Sequence, residues 1–361
     1  MKKKIQKVKT NLLSLDIGSD SIKIATGQFN GDKLKINNLI KVPVNSGIIE
    51  NGRIVDESAF KSILQSTLRE AKIKQKEVVV TCECQDIIKR ELSVQKVDDA
   101  DQMELITYEV GQYLPIDIDA YVLQYKILNE FEENDVQKVR VLLGAMPKEI
   151  VKSIFDLLID CGLTPKYLDM HSNSLDKFIN LVFDSMTLSK TLAFIDFGHD
   201  LIDITLFEKG EYKFNRLLKL GLSEFDRILQ EHYGIDAVEA EQRKKKTSIT
   251  ALVGAVEKED FIATDDKGVL ISETAGYFNE CGNEIEKVFK YYTSRSGDNR
   301  IDNIYVYGGG ASAKDMINFL RDRFETPTEI ISHLGMIEVN TKNAVSELPI
   351  FINAVGALIR K

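Results

Sequence analysis

Residues 12–24 read Leu-Leu-Ser-Leu-Asp-Ile-Gly-Ser-Asp-Ser-Ile-Lys-Ile. An apolar run ends in Asp16. One residue later Gly18 begins a polar turn through Ser19, Asp20 and Ser21, and a second apolar run follows with Lys23 inside it. Apolar runs on both sides of a short Gly/Ser/Asp segment predict a strand, a tight turn and a strand back. A glycine in that turn lets a ligand approach bare main chain, so that successive N–H groups and hydroxyls cradle an anion. Asp16, at the strand tip, would then face a metal ion, and Lys23 would reach the same phosphates. The same residues equally suit an ordinary hairpin whose Asp and Ser side chains close an Asx turn.

The pattern recurs. Residues 192–207 read Leu-Ala-Phe-Ile-Asp-Phe-Gly-His-Asp-Leu-Ile-Asp-Ile-Thr-Leu-Phe, with Asp196 and Gly198 in the places of Asp16 and Gly18. Each copy runs on into another hairpin, through Asn30-Gly31, which suits a type I′ turn, and through Lys209-Gly210. The copies lie half a chain length apart, which implies two similar domains facing each other, each with one phosphate loop. A third element is Ile304-Tyr-Val-Tyr into Gly308, Gly309 and Gly310, followed by helical spacing at Met316, Ile317, Leu320 and Phe324. Such a turn admits a flat ring or a phosphate at a helix start. Alone it would equally mark close helix–strand packing.

The order of Asp-x-Gly hairpin, second Asp-x-Gly hairpin and Gly-Gly-Gly before a helix resembles the actin, Hsp70 and sugar-kinase superfamily. Within it, the chain after residue 10 is similar to the PilM family of type IV pilus assembly proteins. The resemblance implies an α/β, actin-like ATPase fold: two duplicated RNase H-like domains with a small α+β subdomain inserted in the first. The expected boundaries are 1–86 for the first domain and 87–164 for the insertion. Residues 165–190 return to the first domain, 191–344 form the second with a subdomain at about 236–299, and 345–361 form a C-terminal helix packed on the first domain. The inserted segment reads β-α-β-β-α. Its strands are expected at 87–94, 121–128 and 139–145 and its helices at 102–113, before Leu114-Pro115, and 148–161. Modules of this size usually add a partner surface.

Composition bounds the rest. The chain has 361 residues, 43% hydrophobic and 29% charged, enough for two cores in a globular protein. No run approaches ~20 uninterrupted apolar residues, so no direct membrane span is expected. Lysines at 2, 3, 4, 7 and 9 lack the apolar stretch of a signal peptide, which points to the cytoplasm. That run suits anionic lipid or a solvated tail. Cys82, Cys84, Cys161 and Cys281 have no zinc-ligand spacing and read as buried or free thiols. A net charge of −9 argues against nucleic-acid binding.

What the resemblance implies for chemistry is ATP or ADP with Mg²⁺. Asp16 and Asp196 would hold the metal, which keeps several waters and asks for only one or two carboxylates. Gly18, Ser19, Ser21, Lys23 and Gly198 would cradle phosphates, Gly221 would permit approach of the second domain, and Gly308, Gly309 and Gly310 would line the adenine. In actin-like proteins an Ala-Glu-x-x-Lys element lies against the adenosine, which assigns Glu241 and Lys244 to ribose or adenine. The bare residues read as a solvated helix face. The family often carries Glu where this chain has His171, small hydroxyl residues at His199-Asp200 and a second Gly at Leu222. Slow hydrolysis or none is therefore expected, with nucleotide as a switch. Partners implied are the cytoplasmic N-terminal peptide of a PilN-like membrane protein, in the groove between the first domain and its insertion, other pilus-assembly components such as the assembly ATPase, and further copies of the chain. The protein would sit at the inner face of the membrane through them. An FtsA-like cell-division protein would add a linker and an amphipathic helix after the packed helix that ends here at Lys361. A small-molecule kinase would need a substrate domain that the sequence does not show.

Overall fold

The computed structural model describes residues 10–113, 117–256, 263, 265–295, 300–340 and 344–360. The lysine run at 2–9 and Leu114-Pro115 lie outside them. The chain opens with strands β1 (Thr10–Ile17), β2 (Ser21–Phe29), β3 (Leu34–Pro43), β4 (Ile49–Glu50) and β5 (Arg53–Ile54), then α1 (Glu57–Glu70) and β6 (Glu77–Cys82). Next come β7 (Ile88–Gln95), α2 (Asp99–Tyr113), β8 (Tyr121–Glu133), β9 (Val136–Pro147), α3 (Lys148–Asp160), β10 (Thr164–Met170), α4 (His171–Val182) and α5 (Ser185–Leu188). The second half contains β11 (Thr191–Phe197), β12 (Ile202–Glu208), β13 (Glu211–Leu218), α6 (Leu222–Tyr233), α7 (Ala237–Lys244), α8 (Ile249–Val256) and α9 (Asp266–Thr293). It closes with β14 (Asn303–Tyr307), α10 (Met316–Phe324), β15 (Thr328–Ile330), β16 (Ile337–Val339), α11 (Ala344–Glu347) and α12 (Ile352–Leu358).

Two sheets repeat one topology. The first runs β10-β6-β1-β2-β3-β16 and the second β15-β14-β11-β12-β13. In each, an antiparallel meander begins on the strand that carries Asp-x-Gly, and that strand pairs in parallel with β6 or β14 on its other side. Even the register corresponds: Asp16 lies opposite Lys23, and Asp196 opposite Asp203. A central strand buried on both faces reads as a continuous apolar run, which is what residues 12–17 and 192–197 display.

A smaller sheet, β7-β9-β8, has its own core of Val94, Ile106, Val110, Leu123, Val139, Val141, Leu143 and Ala145. α3 does not join it. Ile150, Ile154, Leu157 and Leu158 pack into the core between the first sheet and α1, because its apolar stripe faces Leu15 and Val80 rather than the small sheet. Helices α4 and α12 share a core with both large sheets: Phe178, Ile352 and Val355 pack with Phe29 of the first and Phe194 and Tyr305 of the second.

Two helices differ from expectation at their starts. The C-terminal one opens as a 3₁₀ turn, Leu348–Phe351, with Pro349 in its first turn, and α12 follows. After Gly308 comes a 3₁₀ turn, Gly309–Ser312, and α10 starts only after Asp315, whose φ is +64°. The triple glycine therefore does not begin an α-helix.

α12 lies so close to α4 that a Cβ on Gly356 would stand 2.0 Å from the carbonyl oxygen of Ser174. Backbone cannot yield as a flexible side chain can. Gly356→Ala should cost about 1–3 kcal/mol in urea unfolding, the usual range for overpacking. Gly276→Ala on the exposed side of α9, where nothing lies within 4 Å, should leave stability unchanged or raise it by about 0.5–1 kcal/mol. Equal effects at the two glycines would refute this account of the α4–α12 contact.

Candidate functional site

The β1–β2 and β11–β12 hairpins open onto one cleft of about 980 Å³, including space open to solvent. Asp16, Gly18, Ser19, Ser21 and Lys23 line it from the first copy, and Asp196 and Gly198 from the second. Glu241 and Lys244 line it from α7, and Gly309 from the loop after β14. Gly221, Gly308 and Gly310 are not among the lining residues. A Cβ on Gly221 would stand 2.1 Å from the His199 carbonyl oxygen, one on Gly308 1.9 Å from Asp196 Oδ1, and one on Gly310 2.5 Å from Phe197 Cβ. These glycines let the chain pass behind the second hairpin. Gly308 also has φ +77°, which L side chains rarely adopt.

Both hairpin glycines that do line the cleft are tightly placed. A Cβ on Gly18 would meet Lys23 Nζ at 2.8 Å, and one on Gly198 the Leu201 carbonyl oxygen at 2.7 Å, the same oxygen that accepts the Gly198 N–H at 3.0 Å.

Four carboxylates meet at the cleft floor: Asp16, Glu83 and Asp203 are buried, and Asp196 is half-buried. Asp16 Oδ1 lies 3.0 Å from His171 Nε2. Burial alone would raise the Asp16 carboxyl, but Lys23 and His171 hold it below its usual range. Burial would likewise lower His171, yet the adjoining Asp16 carboxylate lifts it to about 9. Asp196 accepts from Asn353 Nδ2 at 2.9 Å. Its carboxyl is pushed up by burial to about 6, against the pull of His171 and Lys23. Glu83 pairs with Lys89 of β7, whose ammonium also donates to Asn215 Oδ1 at 2.9 Å, and the Asn215 amide donates to Asp203. Glu83, His171 and Asp203 each present a ligand atom within 4.8 Å of the others.

On the α7 side, Lys244 Nζ is buried between Asp226 Oδ2 at 2.7 Å and Glu241 at 2.6 Å. Burial would lower its ammonium, and the two carboxylates outweigh it and hold it high. Glu241 is partly open to the cleft, whereas Lys244 is already committed to Asp226.

Several lining residues carried no signal from the motifs. Asp203 was within reach, since it faces Asp196 across the hairpin where Lys23 faces Asp16. Glu83 and Asn353 come from separate elements, and only the packed chain brings them to the cleft.

Two duplicated sheets, each beginning its meander on an Asp-x-Gly strand, with a shared cleft between the hairpins, define an actin-like fold. The chain belongs to the family described as type IV pilus assembly protein PilM, whose model matches residues 14–360. It is similar to a solved PilM-PilN type IV pilus biogenesis complex at 19% identity and a TM-score of 0.79, over 97% of this chain and 98% of that one. It is also similar in fold to the ethanolamine utilization protein EutJ from Carboxydothermus hydrogenoformans (12% identity, TM-score 0.54, 97% and 89% covered). MreB5 of Spiroplasma citri bound to ADP gives 12% identity, a TM-score of 0.53 and coverage of 96% and 94%. The protein is thus an actin-like protein of type IV pilus assembly, and none of its described helices is long and apolar enough to cross a membrane.

His171 gives the ligand-free protein a pH signature. Its folded value, about 9, lies above its ordinary 6.5, so its contribution is complete below pH 6.5 and is lost as pH rises through 9. By linkage that contribution is roughly 3 kcal/mol. The stability difference between wild type and His171→Asn should shrink by that order between pH 6.5 and 9. Taking the difference cancels Lys177, which burial lowers to about 8 in both proteins despite Asp169. A pH-independent difference would show that His171 is neutral beside Asp16.

Proposed function

We propose that this protein binds ATP or ADP with Mg²⁺ between its two hairpins, that the nucleotide acts as a conformational switch with slow hydrolysis or none, and that the switched surface holds the N-terminal peptide of a PilN-like membrane protein. The observation that carries the nucleotide reading is the convergence of both Asp-x-Gly hairpins, with Lys23, on one cleft. The similar MreB5 structure holds ADP.

The donor set suits Mg²⁺. Asp16 and Asp196 are hard oxygen ligands, and Ser21 Oγ, Asp203 Oδ2 and Asn353 Oδ1 are buried oxygens without a hydrogen-bond partner among the described residues, available to metal-bound water. Asp16 and Asp196 would hold the ion; Gly18, Ser19, Ser21 and Gly198 would face phosphate oxygens, with Lys23 supplying charge. Bound Mg²⁺ would neutralise phosphate charge. Glu241, Lys244 and Gly309 remain for the nucleoside, with Gly221, Gly308 and Gly310 supporting from behind.

Turnover needs a group that orients or deprotonates water beside the γ-phosphate. His171 occupies the position where the family resemblance implies Glu. Held protonated against Asp16, it has no free nitrogen lone pair for a proton. This favours binding and release over rapid hydrolysis.

For the peptide, a groove of about 1100 Å³ lies between β8 of the inserted sheet and α4, lined by Lys126, Ile127, Asp176 and Arg360 among others. Ile127 is 42% exposed there, an apolar anchor in a polar rim. A PilN-like partner would keep the protein beside the membrane.

The double variant Asp16→Asn, Asp196→Asn should lose stabilisation by ATP and Mg²⁺ in thermal unfolding, where ligand at a hundred times Kd is worth about 2.7 kcal/mol. An undiminished shift, with the fold intact by circular dichroism, would place the nucleotide elsewhere. Separately, Ile127→Asp should weaken a synthetic PilN-like N-terminal peptide at least ten-fold by calorimetry while leaving the nucleotide shift intact. Unchanged peptide affinity would remove the β8–α4 groove from the reading.

A further inference from the structure

A second groove, of about 1630 Å³, separates the inserted sheet from the second large sheet. It shares only Tyr212 with the β8–α4 groove. One wall is residues 89–91 of β7; the other is residues 212–219 along β13, with α9 at the base. Both strands end their sheets, so among the described residues each has one edge with no strand beside it.

Its charge is opposite to that of the chain. Seven of the seventeen lining residues are Lys or Arg and two are Glu, on a protein of net charge −9. Some are already neutralised: Lys89 by Glu83, Lys213 by Glu208 and Glu211, Lys287 by Glu284. Arg90, Arg216 and Lys219 are exposed and have no carboxylate partner among the described residues. Phe214 and Tyr291, edge to face at 5.5 Å, add an apolar patch beside them.

We propose that this groove docks an extended acidic peptide segment of a partner protein, laid along the β13 edge with acidic side chains on Arg90, Arg216 and Lys219. Strand addition uses the alternating N–H and C=O groups of an edge for affinity and alternate side chains for specificity. β13 has eight residues, about 26 Å at strand rise, enough for a segment of similar length. Phe214 and Arg216 share one face of β13, so the Phe214–Tyr291 patch and an unpaired cation stand side by side, and a segment mixing acidic and apolar side chains complements both. A nucleic-acid strand fits less well. Its phosphates accept hydrogen bonds but donate none to strand carbonyls, and the Tyr291 face that a base would stack on carries the Arg295 guanidinium at 5.1 Å. The inner end of the groove is Lys89, which bonds Glu83 of the cleft floor and Asn215, itself a donor to Asp203 there, so an occupant touches the network that meets the hairpins.

The test is fluorescence anisotropy on the full chain with a labelled peptide of about ten residues, alternating Glu and Val. Parallel probes are its Lys–Val counterpart, the Glu–Val peptide N-methylated at alternate residues, and an oligothymidylate of the same length. The triple variant Arg90→Glu, Arg216→Glu, Lys219→Glu changes exposed side chains only, and circular dichroism verifies its fold. The Glu–Val peptide should bind wild type, weaken at least ten-fold in the triple variant, and weaken on N-methylation; the Lys–Val peptide should not bind. Absent Glu–Val binding, equal binding of the Lys–Val peptide, no effect of the triple variant, no effect of N-methylation, or tighter oligothymidylate binding abolished by the triple variant would each overturn the proposal.

Discussion

Four carboxylates share the floor of one cleft, and the surrounding structure is arranged around keeping that charge tolerable. A buried carboxylate is costly unless it is paired and hydrogen-bonded. Here each partner comes from a different part of the chain. His171 at the start of α4 serves Asp16, Lys89 of β7 serves Glu83, Asn353 of α12 serves Asp196, and Asn215 of β13 serves Asp203. The two large sheets, the small inserted sheet and the terminal helix therefore meet at one electrostatic problem. Truncating one member of a buried pair leaves the other uncompensated, typically at 3–5 kcal/mol, so these contacts fix the relative placement of the sheets as well as the site.

The duplication explains much of this and its asymmetry explains more. The position opposite the hairpin Asp holds Lys23 in the first copy and Asp203 in the second. Like charges directly opposed on one sheet face are destabilising. Asp16 thus has cations on two sides, Lys23 and His171, whereas among the described residues Asp196 and Asp203 are hydrogen-bonded by side-chain amides, those of Asn353 and Asn215. Burial pushes Asp196 up to about 6, and the charges of Asp16 and Asp203 add to that push against the pull of His171 and Lys23. A divalent cation would find its strongest uncompensated charge on the side of the second copy.

What was legible in the sequence was local. Apolar runs flanking Gly-rich turns marked β1–β2 and β11–β12, and the spacing of the two Asp-x-Gly stretches marked the duplication, because strand period and turn chemistry are written in neighbouring residues. The apolar stripe of α3 was equally visible, but its destination was not; chain order suggested the inserted module, whereas the stripe faces the first sheet. The partners of the site lay further out of reach. His171 and Asp16 are 155 residues apart, Asn353 and Asp196 157, Lys89 and Asn215 126, and no local pattern announces such pairs. The triple glycine was visible yet meant something else: Gly308 and Gly310 exist to clear Asp196 and Phe197, and only Gly309 reaches the cleft.

Asn353 also ties the site to the core. It sits on α12, whose Ile352 and Val355 pack between the two large sheets, and Gly356 brings the same helix against the α4 backbone. α4 in turn begins with His171. The two residues that hydrogen-bond Asp16 and Asp196 therefore ride on two helices that touch each other and both sheets. Under the proposed metal binding, a cation that took over the neutralisation of these carboxylates would remove a polar tether from both helices together and leave their apolar contacts in place. Packed interfaces shift between discrete arrangements rather than deforming smoothly, so in the proposed switch a change of charge at the cleft floor would be transmitted as a movement of the α4–α12 pair between the sheets.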